Sequence, residues 1–440
     1  MKRILIALAL LAAVQVADAQ VMSPAAAAKA VTSAEAASKD AKKAAKAATW
    51  VKLAQAYMDA YNAPVGNAWI GATAQELSLV MGSEKPVSET QVELNGTPYL
   101  KVSYSNKDFY YGQDLKLAMI IVTQPVVEDA LAKSFEAWKK AYEVDVKQSK
   151  VKDINAGLAS IAQKYIGDAY NAYQFGDLAK ASQLFAAAAE VSATAPYSNL
   201  DKDALYNAGF TAWMAKDYAG AQKYFEECVA NEYYYDDGEV FAKLADIHKN
   251  LGNGEKVVAI LEEGFSKFPQ SQSILIGLIN YYLENKQDPA RLFELIDLAK
   301  QNEPNNASLY YVEGNINKEL GKNEEAIAAY YKCADINPEY EFGYIGAGVL
   351  YYELAVKLSE EASNEFDDAK YNALVEQFEK ALMDAIEPFE KAFETTKDEN
   401  LKVSIAEYLK NIYYRFYSKG AEYEEGYNKY NQIVKSGQVK

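Results

Sequence analysis

Apolar positions recur along most of this chain at helical spacing, and the spacing itself repeats. Ala326, Tyr330 and Cys333 fall at i, i+4 and i+7, the stripe of an amphipathic helix. Ahead of them Tyr310 and Gly314 share one face of an earlier helix, Gly321 sits in the turn between the two, and Pro338 ends the second. Leu205, Gly209, Ala221, Phe225 and Cys228 form the same unit upstream, as do Phe241, Ala245, Gly252, Val257, Leu261, Gly264 and Pro269. The position of Ala326 is taken by Ala181, Ala221, Val257 and Leu292 in earlier units, at successive spacings of 40, 36, 35 and 34 residues. A chain of 440 residues is too long for one compact core, and this periodicity predicts stacked antiparallel helix pairs instead.

Three stretches depart from the pattern. The unit at 274–304 has an irregular turn at 285–289. The unit opening with Tyr344, Ala347, Gly348 and Tyr351 reaches its second stripe, Ala385, Phe389 and Ala392, only after a long charged segment, which predicts two elongated helices with a kink at Pro388. Near the N-terminus Trp50, Leu53, Ala54 and Tyr57 open a pair whose second helix, marked by Ser134, Phe135, Trp138 and Ala141, is displaced by an insertion. Within that insertion 92–94, 98–104, 109–111 and 115–122 read as short strands, and Asn95-Gly96 is a type I′ hairpin signal because both positions need positive φ. The insertion is expected to be a small antiparallel β-meander packed on the first helix pair.

The run from Tyr310 to Pro338 closely resembles the tetratricopeptide repeat. The resemblance implies a mainly α fold, a right-handed superhelical solenoid of antiparallel helix pairs, here with the β-meander inserted near the N-terminus. It also implies a concave groove lined by the first helix of each pair. Carried over, the groove positions are Asp203, Tyr206, Phe210 and Trp213, then Glu239, Ala242, Asp246 and Lys249. Further along they are Ser308, Tyr311, Asn315 and Lys318, then Phe342, Ile345, Val349 and Tyr352. The partner implied is a protein or peptide. The paired Lys and Asn positions with which some members hold a C-terminal carboxylate are not found.

Composition sharpens this picture. Lys2 and Arg3, the apolar run 4–16 and the small residues at Ala17-Asp18-Ala19 have the layout of a cleaved secretory signal, with a mature end at Gln20 in the periplasm or outside the cell. The domain reading is a signal peptide at 1–19, a flexible segment at 20–33, and a first pair at 34–150 split by an insertion at about 71–124. An array follows at 151–399, with an elongated repeat at 341–399, and a capping pair at 400–440. A net charge of −17 disfavours nucleic acid and anionic lipid, and no run is apolar and long enough for stable membrane insertion. His248 is the single histidine, which excludes two-histidine metal sites and most hydrolase triads. Cys228 and Cys333 share one interior repeat position three units apart, so both are expected to be reduced and buried. No cofactor is expected. The function expected is an exported scaffold, without catalysis, that binds an envelope protein or peptide through its groove. The 35 tyrosines support a second reading, capture of carbohydrate or a small solute by groove aromatics.

Overall fold

The computed structural model describes residues 21–285 and 288–437, so the signal sequence expected at 1–19 lies outside the described residues. The chain divides into two units, one running to Asp236 and including Asp246–Gly254, the other taking Asp237–Ala245 and continuing from Glu255.

The first unit opens with α1 (Pro24–Lys39), a short α2 (Ala41–Ala44) and α3 (Ala47–Asn62). The segment expected to be flexible, 20–33, is therefore helical from Pro24 onward. Ser23 caps α1 and Pro24 starts it, and the alanine-rich run that follows buries Ala27 and Val31 against α3. After the small α4 (Ala74–Val80) come β1 (Ser88–Leu94), β2 (Thr97–Ser103), β3 (Lys107–Tyr111) and β4 (Leu117–Val122), in that spatial order and all antiparallel. Strand β1 starts earlier than the apolar pattern predicted because its first four residues lie exposed on a sheet edge, where no apolar face is needed. Asn95 and Gly96 make the two-residue turn at φ 47° and 75°.

Helix α4 went unread in the sequence, although its signal is there: Thr73 and Glu76 form a capping box. It closes a separate small core of Leu77, Val102, Phe109, Tyr111 and Leu117. Lys107, 1% exposed, anchors this insertion by donating to the Pro64 carbonyl at 2.8 Å and to Glu84 Oε2 at 2.6 Å. A buried ammonium needs such partners.

Helix α5 (Ala130–Val144) pairs with α3 across the insertion, and Ser134 Oγ donates to the Ala54 carbonyl at 2.8 Å. Then follow α6 (Val151–Gln174), α7 (Leu178–Ala193), α8 (Lys202–Met214) and α9 (Tyr218–Ala230). The insertion packs on the end of α6, not only on the first pair: Asn95 Nδ2 donates to the carbonyls of Tyr173 and Gln174 at 3.2 and 3.0 Å, and Tyr110 meets Phe175 edge-on at 5.3 Å. Helix α10 (Glu239–Asn250) spans the division between the units.

The second unit holds α11 (Gly254–Lys267), α12 (Gln272–Glu284), α13 (Pro289–Asn302), α14 (Ala307–Glu319) and α15 (Asn323–Ile336). The small residues of the repeat have a steric purpose here. A Cβ on Gly314 would lie 2.5 Å from the ring of Tyr330, and one on Gly346 would lie 2.6 Å from it. Helices α16 (Phe342–Ser363) and α17 (Asp368–Thr395) are long, and Phe366 between them is 98% exposed. Pro388 does not interrupt α17 as an element. Ala385, Phe389 and Ala392 around it are fully buried, and that packing offsets the one backbone hydrogen bond a proline removes. Helices α18 (Glu399–Phe416) and α19 (Ala421–Ser436) end the described chain and bury Ile405, Leu409, Ile412, Phe416 and Tyr430 against α17.

Candidate binding surfaces

In the first unit the expected groove residues of α8 form a ladder of rings. Spacing at i, i+4 and i+7 places Tyr206, Phe210 and Trp213 on one face, with Tyr206 and Phe210 stacked at 6.1 Å and Phe210 and Trp213 tilted at 5.9 Å. Trp213 Nε1 donates to Asp246 Oδ2 at 2.6 Å, a short, charge-assisted bond that fixes the indole. Phe210 and Trp213 are half-buried, Asp246 likewise, and Lys249 is exposed one turn on.

Tyr206 corrects the expectation. It is only 3% exposed, because Tyr235 from the following loop stacks on it at 3.8 Å with an interplanar angle of 11°. Tyr233 of the same loop donates its hydroxyl to Asp203. Burial, then the Asp203 carboxylate, holds the Tyr233 phenol well above its ordinary range. The sequence reading missed Tyr233 and Tyr235 as part of this surface; the tyrosine triplet was their visible signal. Nearby on α6, Tyr170 is half-buried and packs edge-on against Phe185 at 5.2 Å.

A second cluster in this unit had no signal in the sequence. Tyr61 on α3 donates to Asp168 Oδ1 on α6 at 2.9 Å, and Lys164 Nζ lies 5.9 Å from the Tyr61 ring centre. Burial raises the Asp168 carboxyl, which Tyr61 and Lys164 partly oppose, and burial lowers the Lys164 ammonium. Two residues more than a hundred positions apart share no local pattern that a periodicity could expose.

In the second unit Tyr311 and Phe342 come together, with ring centres 5.7 Å apart, and Tyr340 lies 6.5 Å from the first and 5.2 Å from the second. Phe342 is 38% exposed, whereas Tyr311 is half-buried and also meets Tyr330 at 5.8 Å. Asn315 accepts from the Tyr330 hydroxyl at 2.7 Å, so it supports the ring below it. Lys318 is ion-paired with Glu353 at 2.8 Å. Val349 and Tyr352 are corrections of a different kind: both pack against the core of α17 and α18, where Tyr352 meets Tyr408 edge-on at 5.0 Å. Tyr408 of α18 thus covers a position that the repeat pattern assigned to the groove.

His248 is buried, with Asn253 Nδ2 3.4 Å from its Nδ1. Both cysteines are free and buried. Burial pushes the Cys228 thiol up to about 12 and the Cys333 thiol up to about 11. Among the described residues no cluster of three or more His, Cys, Asp or Glu is placed to hold a metal ion, and no helix is long and apolar enough to cross a membrane.

Residues 307–340, which comprise α14, α15 and the turns around them, match the family model described as Tetratricopeptide repeat. These residues thus form a tetratricopeptide repeat, set in a fold of antiparallel helix pairs with the small antiparallel sheet as an addition. No curated protein matches the sequence. Solved structures with some likeness include a tetratricopeptide repeat protein from Parabacteroides merdae ATCC 43184, at 14% identity over 56% of this chain and 98% of that one, with a TM-score of 0.38. YrrB, described as a TPR protein with an unusual peptide-binding site, is 19% identical over 48% of this chain and 96% of its own, with a TM-score of 0.33. A MamA fragment from Desulfovibrio magneticus RS-1 is 19% identical over 42% and 94%, with a TM-score of 0.31.

Proposed function

We propose that this chain is an exported scaffold that carries out no catalysis and binds a protein or peptide segment of the cell envelope. The observation that carries the reading is the Phe210 and Trp213 pair beside Asp246. Two large rings, half-exposed and fixed in orientation, offer area that a partner can cover with little loss of side-chain freedom. The neighbouring carboxylate adds direction. Export rests on the layout of residues 1–19.

The test is crosslinking in intact cells from a photoreactive residue at Lys249, followed by identification of the captured protein. Phe210→Ala should lose that partner, with a cost of about 2 kcal/mol or ~30-fold in affinity, while keeping the wild-type circular dichroism spectrum. Undiminished capture by a folded Phe210→Ala variant sinks the reading. Heat on titration with oligosaccharides, without a captured protein, favours carbohydrate binding in its place.

A further inference from the structure

The loop at 231–236 lies where the repeat pattern puts a partner. Asp203 and Tyr206 are the first two groove positions of α8, and both are engaged from within the chain: Tyr233 donates its hydroxyl to Asp203, and Tyr235 stacks on Tyr206 at 3.8 Å. Lys202 Nζ donates to the Asn231 carbonyl at 2.7 Å and ties down the loop's start. The backbone that delivers these rings is unfavourable in itself. Glu232, Tyr235 and Asp236 have φ values of 53°, 51° and 38°, the left-handed region that side chains with a Cβ seldom adopt. Three such residues among six persist because ring stacking and the Asp203 bond hold them there. That is the make-up of a displaceable segment: local strain opposed by contacts that another chain could supply.

We propose that residues 231–236 are a built-in occupant of a tyrosine-reading site formed by Asp203 and Tyr206, and that the partner is an extended segment bearing Tyr-X-Tyr that displaces them. The proposal rests on the groove reading above and names the partner's chemistry. The face of Tyr206 takes any flat ring at the second position. Asp203 is an acceptor only, so the first position must present a hydrogen-bond donor. Phenylalanine there leaves the carboxylate without its phenol, and phosphotyrosine or sulfotyrosine is repelled by it. Beyond the site the ladder continues through Phe210 to Trp213, a track for apolar residues that follow.

The probe is a fluorescent peptide with the sequence of residues 231–236, titrated into the full chain. The Tyr233→Ala/Tyr235→Gly variant empties the site and relieves one left-handed residue, so it should bind the peptide at least tenfold more tightly than the unmodified chain. Phenylalanine or phosphotyrosine at the first tyrosine of the peptide should abolish the gain, as should Asp203→Ala added to the variant. No gain in a variant with wild-type circular dichroism, or equal binding of the phenylalanine peptide, overturns the proposal. Should the double variant misfold, hydrogen exchange on the unmodified chain decides. Amides of 231–236 exchanging well before those of α8 and α9 support a displaceable strap, and protection equal to that of α8 refutes it. Both readouts use the chain's own segment, so they fail separately from the crosslinking test of the general reading.

Discussion

Cys228 and Cys333 show what a repeat position does to a side chain. Each sits on the inner stripe of the second helix of its pair, at 0% exposure, and burial disfavours the thiolate. Against an ordinary thiol near 9, shifts to about 12 and about 11 lower the thiolate population at pH 8 by about 1,000-fold and 100-fold. Alkylation of the folded chain should therefore be slow at both and slower at Cys228, with denaturant restoring ordinary rates; rapid labelling without denaturant contradicts the burial. The sign for stability follows. The folded chain holds these protons to higher pH than the unfolded one, so the contribution is intact below about pH 9 and declines as pH rises towards 11 and 12. Both positions were legible from spacing alone, since the stripe of Ala326, Tyr330 and Cys333 repeats that of Ala221, Phe225 and Cys228. Asp203, Tyr206 and Tyr235 were not legible as a group, because what covers a groove position depends on a loop's backbone angles, which no periodicity encodes.

Among the elements, the sheet is the one whose attachment the sequence left unread. Its strands and the Asn95-Gly96 turn follow from alternation and turn chemistry, yet its hydrogen bonds to the last turn of α6 come from the side chain at the hairpin tip, beside the edge-on contact of Tyr110 with Phe175. That side chain donates to the Tyr173 carbonyl, which also accepts from Gly176 N–H, and to the Gln174 carbonyl, both in the last turn where a helix lacks intrahelical partners. Asn95→Gly keeps the left-handed turn and loses both bonds, so it should cost about 1 kcal/mol in this exposed setting. Asn95→Ala loses the bonds and keeps a Cβ at φ 47° without the polar amide that lets asparagine tolerate the left-handed region, which adds roughly another 1 kcal/mol. Urea unfolding followed by circular dichroism should rank wild type above Gly and Gly above Ala. Equal midpoints for the two variants show that the turn is not held left-handed. Alternation could say that a meander exists; only the register of Leu94 with Thr97 aims Asn95 at a helix end.

At the scale of the whole molecule, an array stabilised by nearest neighbours has ends that matter more than its middle. Helices α18 and α19 form such an end. Ile405, Leu409, Ile412 and Phe416 are almost completely buried and cover Phe389 and Phe393 of α17. Losing even one such side chain typically costs 2–5 kcal/mol, by the ~25 cal/mol/Å² and cavity terms together. A chain ending at Lys397 loses them all, along with the cover they give, so the adjoining α16 and α17 should unfold or aggregate. The first unit has its own core, centred on Tyr57, Phe135, Trp138 and Leu158, and contains none of the deleted residues. Its response can be read without interference, because all four tryptophans, Trp50, Trp69, Trp138 and Trp213, belong to it. For the truncated chain, far-ultraviolet circular dichroism should lose helical amplitude and show an early transition, while the tryptophan emission melt stays within about 2 °C of wild type, a shift worth less than ~1 kcal/mol. A tryptophan transition that moves down together with the circular dichroism would show that the two units fold as one, and that the array has no independent half.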